Sequence, residues 1–170
     1  MKKKKVFVLS LLLVLSIIIQ FPSCNRIGGT NYQLYKHYKD YFGFHYLSID
    51  HKITTEEKQV AETVINDAKS VFAYAGSSAD ARHNVGKLSK YFAFTDEKQF
   101  QSVSYNVHLI TAKIGKKTGY IWATYFVQRF DSAGELVQGA GDPDHEVLCY
   151  WEIERDENNH WIVTSIIEAV

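Results

Sequence analysis

Two cysteines and two prolines in 170 residues are too few for a disulfide-stapled scaffold or a proline-rich disordered chain, and ten glycines are too few for a collagen-like repeat. No charge of one sign dominates. Nineteen Lys and Arg residues balance nineteen Asp and Glu residues, and Lys2, Lys3, Lys4 and Lys5 all precede the first apolar run. The fifteen remaining cations against nineteen acids leave the rest of the chain mildly acidic, with no electrostatic reason to bind nucleic acid or an anionic membrane surface. Cys24 and Cys149 lack the spacing of a zinc or redox motif. Gly139, Ala140 and Gly141 do not form a phosphate cradle, because no helix start or lysine follows at the required distance. No nucleophile elbow or Ser-His-Asp order stands out either. What is present, 46% hydrophobic and 22% charged residues, is the composition of a globular protein.

The four lysines lead into an apolar stretch over residues 6–19, broken only by Ser10 and Ser16. A basic flank and a run shorter than the roughly 20 residues of a spanning helix form the pattern of a secretory signal. The stretch ends at Phe21, Pro22, Ser23 and Cys24, which resembles the lipobox of bacterial lipoproteins. That resemblance implies cleavage after residue 23, lipidation of Cys24 and attachment to the extracytoplasmic face of the cell membrane. Phe21 and Pro22 depart from the usual leucine and small residue, so an uncleaved signal anchor and free secretion stay open. If Cys24 carries lipid, Cys149 has no partner in the chain, and its place in an apolar run predicts a small buried hydrophobe.

Residues 24–30 read as the lipidated cysteine and a short tether. In residues 31–52, Tyr32, Tyr35, Tyr38 and Tyr41 recur every third position, with Phe42, Phe44, His45 and Tyr46 behind them. This stripe fits a helix whose rings pack on the domain, a juxtamembrane belt, or a stacking surface for sugars. Thr54 and Glu57 have the spacing of a capping box, so a helix is predicted to start there. Val60, Ala61, Val64, Ala68, Val71, Phe72 and Ala75 continue it at helical spacing until Gly76, Ser77 and Ser78. A shorter helix is expected from an Asp80 cap through Val85, Leu88 and Phe92, weakened by Gly86.

Beyond Phe100 the period changes from helical to two. Val103, Tyr105, Val107 and Leu109 alternate with polar residues, which predicts a strand with one wetter face. A hairpin over residues 115–119 leads to a strand over 120–130 that is apolar on both faces. Residues 131–144 read as a Gly-rich loop. Two more strands, 146–155 and 160–168, flank a polar turn at Asp156, Glu157, Asn158 and Asn159. Helices followed by a strand meander predict an α+β fold: N-terminal helices packed in a curved antiparallel sheet of about four or more strands.

The long helix, the consecutive strands and the closing pair of Trp151, Glu152, Ile153, Glu154 with His160, Trp161, Ile162, Val163 make residues 53–170 resemble the nuclear-transport-factor-2-like superfamily. The resemblance implies a cone in which the sheet wraps around the helix, and often a homodimer through the sheet. It does not decide function, because that superfamily includes isomerases and dehydratases as well as binding and scaffold domains. The strands offer His108, Tyr105, Tyr125, Tyr150 and Glu152 as polar groups, and Tyr105, His108 and Tyr125 are the candidate pocket residues. No residue has a pattern that marks it as catalytic. Asp142, Asp144, His145 and Glu146 gather in one loop but lack the ligand order of an EF-hand, so no metal or cofactor is expected. Two functions follow: a membrane-anchored, non-catalytic domain that binds an envelope protein or a small ligand, and a small-molecule enzyme or carrier that uses the cone's cavity.

Overall fold

The Thr54 hydroxyl accepts the Glu57 backbone N–H at 3.2 Å, and the Glu57 carboxylate accepts the Thr54 N–H at 2.8 Å, closing the expected capping box. The longest helix of the computed structural model, Thr55–Phe72, starts at this box and buries Ala61, Val64, Ile65, Ala68, Val71 and Phe72 along one stripe. The structure describes residues 28–81, 84–95 and 99–169. The segment expected to be a signal, Cys24 and the start of the expected tether lie outside them. Two short helices, α1 (Thr30–Leu34) and α2 (Lys39–Phe42), precede the long one, which is α3. No helix of the described residues is long and apolar enough to cross a membrane.

The α-helix expected from Asp80 to Phe92 does not form. Two 3₁₀ turns, Ser78–Asp80 and Lys87–Tyr91, take its place. Gly86 separates them with φ of +57°, and a Cβ there would stand 2.3 Å from the Val163 carbonyl oxygen. Only glycine combines that backbone conformation with so close an approach to the sheet.

Five strands form one antiparallel sheet: β1 (Ser102–Ile114), β2 (Thr118–Phe130), β3 (Leu136–Ala140), β4 (Val147–Arg155) and β5 (Trp161–Ala169). The order is β1-β2-β4-β5, and β3 also pairs with β2. Four strands occupy the expected runs; β3 lies in the segment read as a Gly-rich loop. β1 pairs along the whole of β2 on one side. On the other side β4 covers residues 118–125 of β2 and β3 covers 127–130, so β3 and β4 follow one another along one edge. Residues 141–146 loop out between them, closed by mutual Asp142 and His145 backbone hydrogen bonds of 3.2 Å.

The sheet is covered on both faces. Val107, Ile121, Ala123, Tyr125, Val127, Val147, Cys149, Trp151 and Ile153 meet α3, Val85 and Leu88 in the larger core. Trp122, Leu148 and Tyr150 alternate with them and meet Phe42, Tyr46 and Ile49 on the opposite face. The tyrosine stripe is therefore divided. Tyr32, Tyr35 and Tyr38 pack toward the sheet, whereas Tyr41 is 55% exposed. The segment is not one helix but a relay of short α and 3₁₀ turns, whose repeat of three residues per turn suits a three-residue stripe.

Asp50 ties the start of this layer to its end. Its carboxylate accepts the backbone N–H groups of Gly29 at 2.6 Å, Asn31 at 2.9 Å and Tyr32 at 3.2 Å. The first turn of α1 is thus capped from a distance, since Gly29 supplies no side-chain cap.

Arg129 closes the other end of the larger core. Its guanidinium is 1% exposed and donates to the carbonyls of Tyr91 at 3.0 Å and Phe72 at 3.4 Å, the latter in the last turn of α3. The cation meets the negative end of that helix dipole. Cys149 is fully buried and donates to the Ala123 carbonyl at 3.3 Å, and burial pushes its thiol well above the usual range.

Candidate functional site

On the face toward α3, Glu168 is the convergence point of the polar groups. Its carboxylate accepts hydrogen bonds from Lys90 Nζ at 2.5 Å, from the Tyr125 hydroxyl at 2.6 Å and from the Tyr91 hydroxyl. Burial alone would raise the Glu168 pKa, but the Lys90 ammonium and the two phenols outweigh it and hold the carboxyl below its ordinary value. Burial in turn pushes both phenols up, reinforced by the carboxylate beside them. A phenol held protonated against a carboxylate is a stable structural pair, and neither partner titrates near neutrality. The rings of Phe72, Tyr91 and Tyr125 stand 4.9 to 5.3 Å from one another, filling the space between α3 and the sheet.

The three residues that sequence reasoning offered as a pocket do not come together. Tyr125 is 2% exposed and belongs to this packed cluster. Tyr105 has the strand parity of Val103 and Val107 but is 36% exposed, two register positions away along β1. His108 pairs with Thr124 across the ladder and lies on the opposite face. Its Nδ1 stands 3.2 Å from Glu146 and its Nε2 3.0 Å from the Asn106 amide nitrogen. The Asn106 amide oxygen accepts the Val107 N–H at 2.9 Å, so its nitrogen faces the ring and donates to Nε2. That leaves the proton on Nδ1, donated to Glu146, which also accepts the Thr124 hydroxyl. Both ring nitrogens are occupied, an arrangement that holds a loop to a strand rather than offering a base.

That loop is organised by Asp142. Its carboxylate accepts the backbone N–H groups of Asp144 and His145, each at 2.8 Å, and these bonds lower its pKa. His145 folds back toward Asp142 while Glu146 turns toward Thr124. No group of three or more His, Cys, Asp or Glu side chains of the described residues is placed to hold a metal ion.

The best-formed open site lies on the second face of the sheet, where residues 30–50 leave the ends of β2 and β4 uncovered. A cleft of about 470 Å³ is lined there by Lys113, Thr118, Tyr120, Tyr150, Glu152 and Glu154. Register assembles it: Tyr120 pairs with Lys113 on one side and Glu152 on the other, and Thr118 pairs with Glu154. The Tyr120 and Tyr150 rings stack at 5.5 Å, and His45 covers Tyr150 at 4.4 Å. Tyr150 is only 6% exposed, yet its hydroxyl makes no hydrogen bond to another described residue. Burial and the nearby Glu152 carboxylate push that phenol up to about 12. Neither Glu152 nor Glu154 forms an ion pair with another described residue. Although the ring is covered, the hydroxyl is not one of the buried polar atoms left without a partner, so it opens into the cleft, where solvent or a ligand can meet it. The arrangement can therefore stack a flat group, accept or donate one hydrogen bond at Tyr150 and neutralise a positive charge.

No protein-family model matches the chain, and no curated protein matches it. Among solved structures, a conserved protein from Planctomyces limnophilus DSM 3776 is similar at 8% identity, over 66% of this chain and 94% of that one, with a TM-score of 0.39.

Sequence reasoning named Tyr150 and Glu152 as polar groups on the sheet but passed over Tyr120, Tyr91 and Glu168. For Tyr120 a signal existed: it is even-numbered like Trp122, directly after the hairpin. For Glu168 the signal was reversed by a bulge. Ile153 pairs with Val163 but Glu152 pairs with Ser165, so strand parity changes between them and Glu168 lands beside Cys149 on the α3 face.

Proposed function

We propose that this chain is an extracytoplasmic, membrane-anchored lipoprotein whose nuclear-transport-factor-2-like domain binds a ligand or an envelope partner without catalysing a reaction. One observation carries the reading: the space between α3 and the sheet is filled by Phe72, Tyr91 and Tyr125, with Glu168 satisfied by three donors, so that the α3 side keeps only a rim cleft of about 280 Å³ at Thr63, Asp67 and Trp161, whereas the cleft of about 470 Å³ is on the other face. An enzyme or carrier of this architecture needs that inner space for its substrate. The lysine run, the apolar stretch and Cys24 support the anchor, and the long helix laid across an antiparallel sheet supports the cone-like resemblance. The cleft favours a ligand with a flat or apolar body and a positive group, the first for Tyr120 and Tyr150, the second for Glu152 and Glu154.

Two measurements test the reading. Radiolabelled palmitate fed to expressing cells is incorporated by the wild type and not by Cys24→Ser; equal labelling, or none, removes the lipoprotein assignment. The full chain titrated with glucosamine disaccharide and with arginine amide shows saturable NMR shifts at residues 113–120 and 150–154 that Tyr150→Ala abolishes. Shifts centred on Tyr91, Tyr125 and Glu168 instead would support the enzyme or carrier reading. A homodimer through the sheet would meet the part of the second face that residues 30–50 leave open.

A further inference from the structure

The layer formed by residues 30–50 has an outer side that the sheet does not use. Phe42, Tyr46 and Ile49 point inward and are at most 2% exposed. Tyr41, Phe44 and Leu47 point outward and are 55%, 93% and 70% exposed. The last two lie in the 3₁₀ turn Gly43–Ser48, where side chains three apart eclipse one another, and Tyr41 extends the same three-residue step from α2. The result is an apolar ridge with a nearly bare phenylalanine at its centre. Leu34, 60% exposed, belongs to the same layer. Isolated exposed apolar side chains are ordinary, but a periodic ridge marks a surface that meets something.

The place where the preceding chain enters identifies what it meets. The Gly29 N–H donates to the Asp50 carboxylate at 2.6 Å, which holds the start of the described chain beside Asp50, three positions after Leu47. Cys24 precedes Gly28 by four positions, a span of at most about 14 Å when extended. A lipid on Cys24 would hold Gly28, and with it the Asp50 end of this layer, close to the bilayer. Over residues 30–50 Lys36 and Lys39 balance Asp40 and Asp50, so this layer carries no net charge to oppose an anionic bilayer, while the chain beyond the first apolar run is acidic. We propose that Tyr41, Phe44 and Leu47 insert into the headgroup region of the membrane that carries the chain, fixing the domain with residues 30–50 toward the lipid and α3 away from it. Aromatic and leucine side chains on one side of an interfacial helix, buried about 5–10 Å deep, are how peripheral domains make a second membrane contact beside a single lipid chain. The inference rests on the anchored reading above.

The test uses the full chain with Phe44→Trp, and separately with Glu62→Trp on the exposed side of α3 as the control, added to vesicles of phosphatidylethanolamine and phosphatidylglycerol with a nitroxide on the upper acyl chain. Flotation of the wild type reads the anchor independently. The expected result is flotation, a blue-shifted emission for Trp at 44, and quenching there at least about threefold that at 62, consistent with insertion to interfacial depth. Flotation with equally weak quenching at both positions keeps the anchor and overturns the ridge. Failure to float, with Trp at 44 still quenched on vesicle addition, overturns the anchor and keeps the ridge. Neither flotation nor quenching overturns both. A blue shift at 44 that rises with protein concentration and needs no vesicles assigns the ridge to a second copy of the chain and overturns the membrane proposal.

Discussion

Replacing Glu168 with leucine removes the acceptor shared by two buried phenols and a lysine. Tyr91 and Tyr125 are 9% and 2% exposed, so neither hydroxyl reaches bulk water when the carboxylate goes, whereas Lys90 is 44% exposed and can be resolvated. Each orphaned buried donor costs about 1–3 kcal/mol, which puts Glu168→Leu, with two of them, at about 2–6 kcal/mol of destabilisation. For a domain of this size that is a fall in Tm of roughly 6–18 °C. The sign of the pH dependence follows from the carboxyl being held below its ordinary value. Its contribution is present above the unfolded pKa, about 4.3, and is lost as pH falls through the lower folded value. The gap between wild type and Glu168→Gln should therefore narrow in acid. The decisive comparison is the triple variant Glu168→Leu, Tyr91→Phe, Tyr125→Phe, in which no donor is left wanting. Urea unfolding should show it at least about 2 kcal/mol more stable than Glu168→Leu alone, since removing both partners of a buried hydrogen bond is close to neutral. A single variant within about 1 kcal/mol of wild type, or a triple variant no better than the single, would refute the account of the cluster.

Asp50→Ala leaves three backbone N–H groups uncapped and should cost about 1–2 kcal/mol, seen as faster hydrogen exchange at Asn31 and Tyr32 with little change in α3. The Thr54 backbone N–H, helped by Ile114 N–H and His51, lowers the Glu57 carboxyl to about 2. Its stabilisation is present above the unfolded pKa and should disappear as pH falls from about 5 to 2, and acid unfolding of Glu57→Gln should lack that component. Arg129→Met removes the guanidinium that satisfies Phe72 and Tyr91 carbonyls and should lower stability by about 1–3 kcal/mol in thermal melts. Gly86→Ala forces a Cβ against the Val163 carbonyl at a positive φ and should destabilise by more than about 1 kcal/mol.

What could be read from the residues was whatever depends on local chemistry and uninterrupted period. The capping box at Thr54 and Glu57, the helical stripe down to Phe72, and the hairpin at residues 115–119 fall where spacing put them. β3 was missed because Leu136 and Val137 are exposed and Gly139 and Gly141 imitate a loop. The expected helix at residues 80–92 was lost to Gly86, whose close approach to the sheet is a tertiary demand. The candidate site was the least legible part. His108 and Tyr125 are seventeen positions apart and one parity step decides whether they meet, while the bulge in β5 turns Glu168 inward against the alternation of its own strand. The cleft needs three strands in register, and no stretch of sequence contains it.

The account stands on the inner space being closed, and Cys149 reports on that space directly. It is fully buried beside Ala123 and within the electrostatic reach of Glu168. In the Cys24→Ser chain, methyl methanethiolsulfonate should modify Cys149 at least about 10³-fold more slowly than a free thiol, at a rate that tracks global unfolding. Modification within about tenfold of a free thiol under native conditions, unaffected by added stability, would mean that small molecules enter between α3 and the sheet, and would contradict a domain that binds only on its outer face.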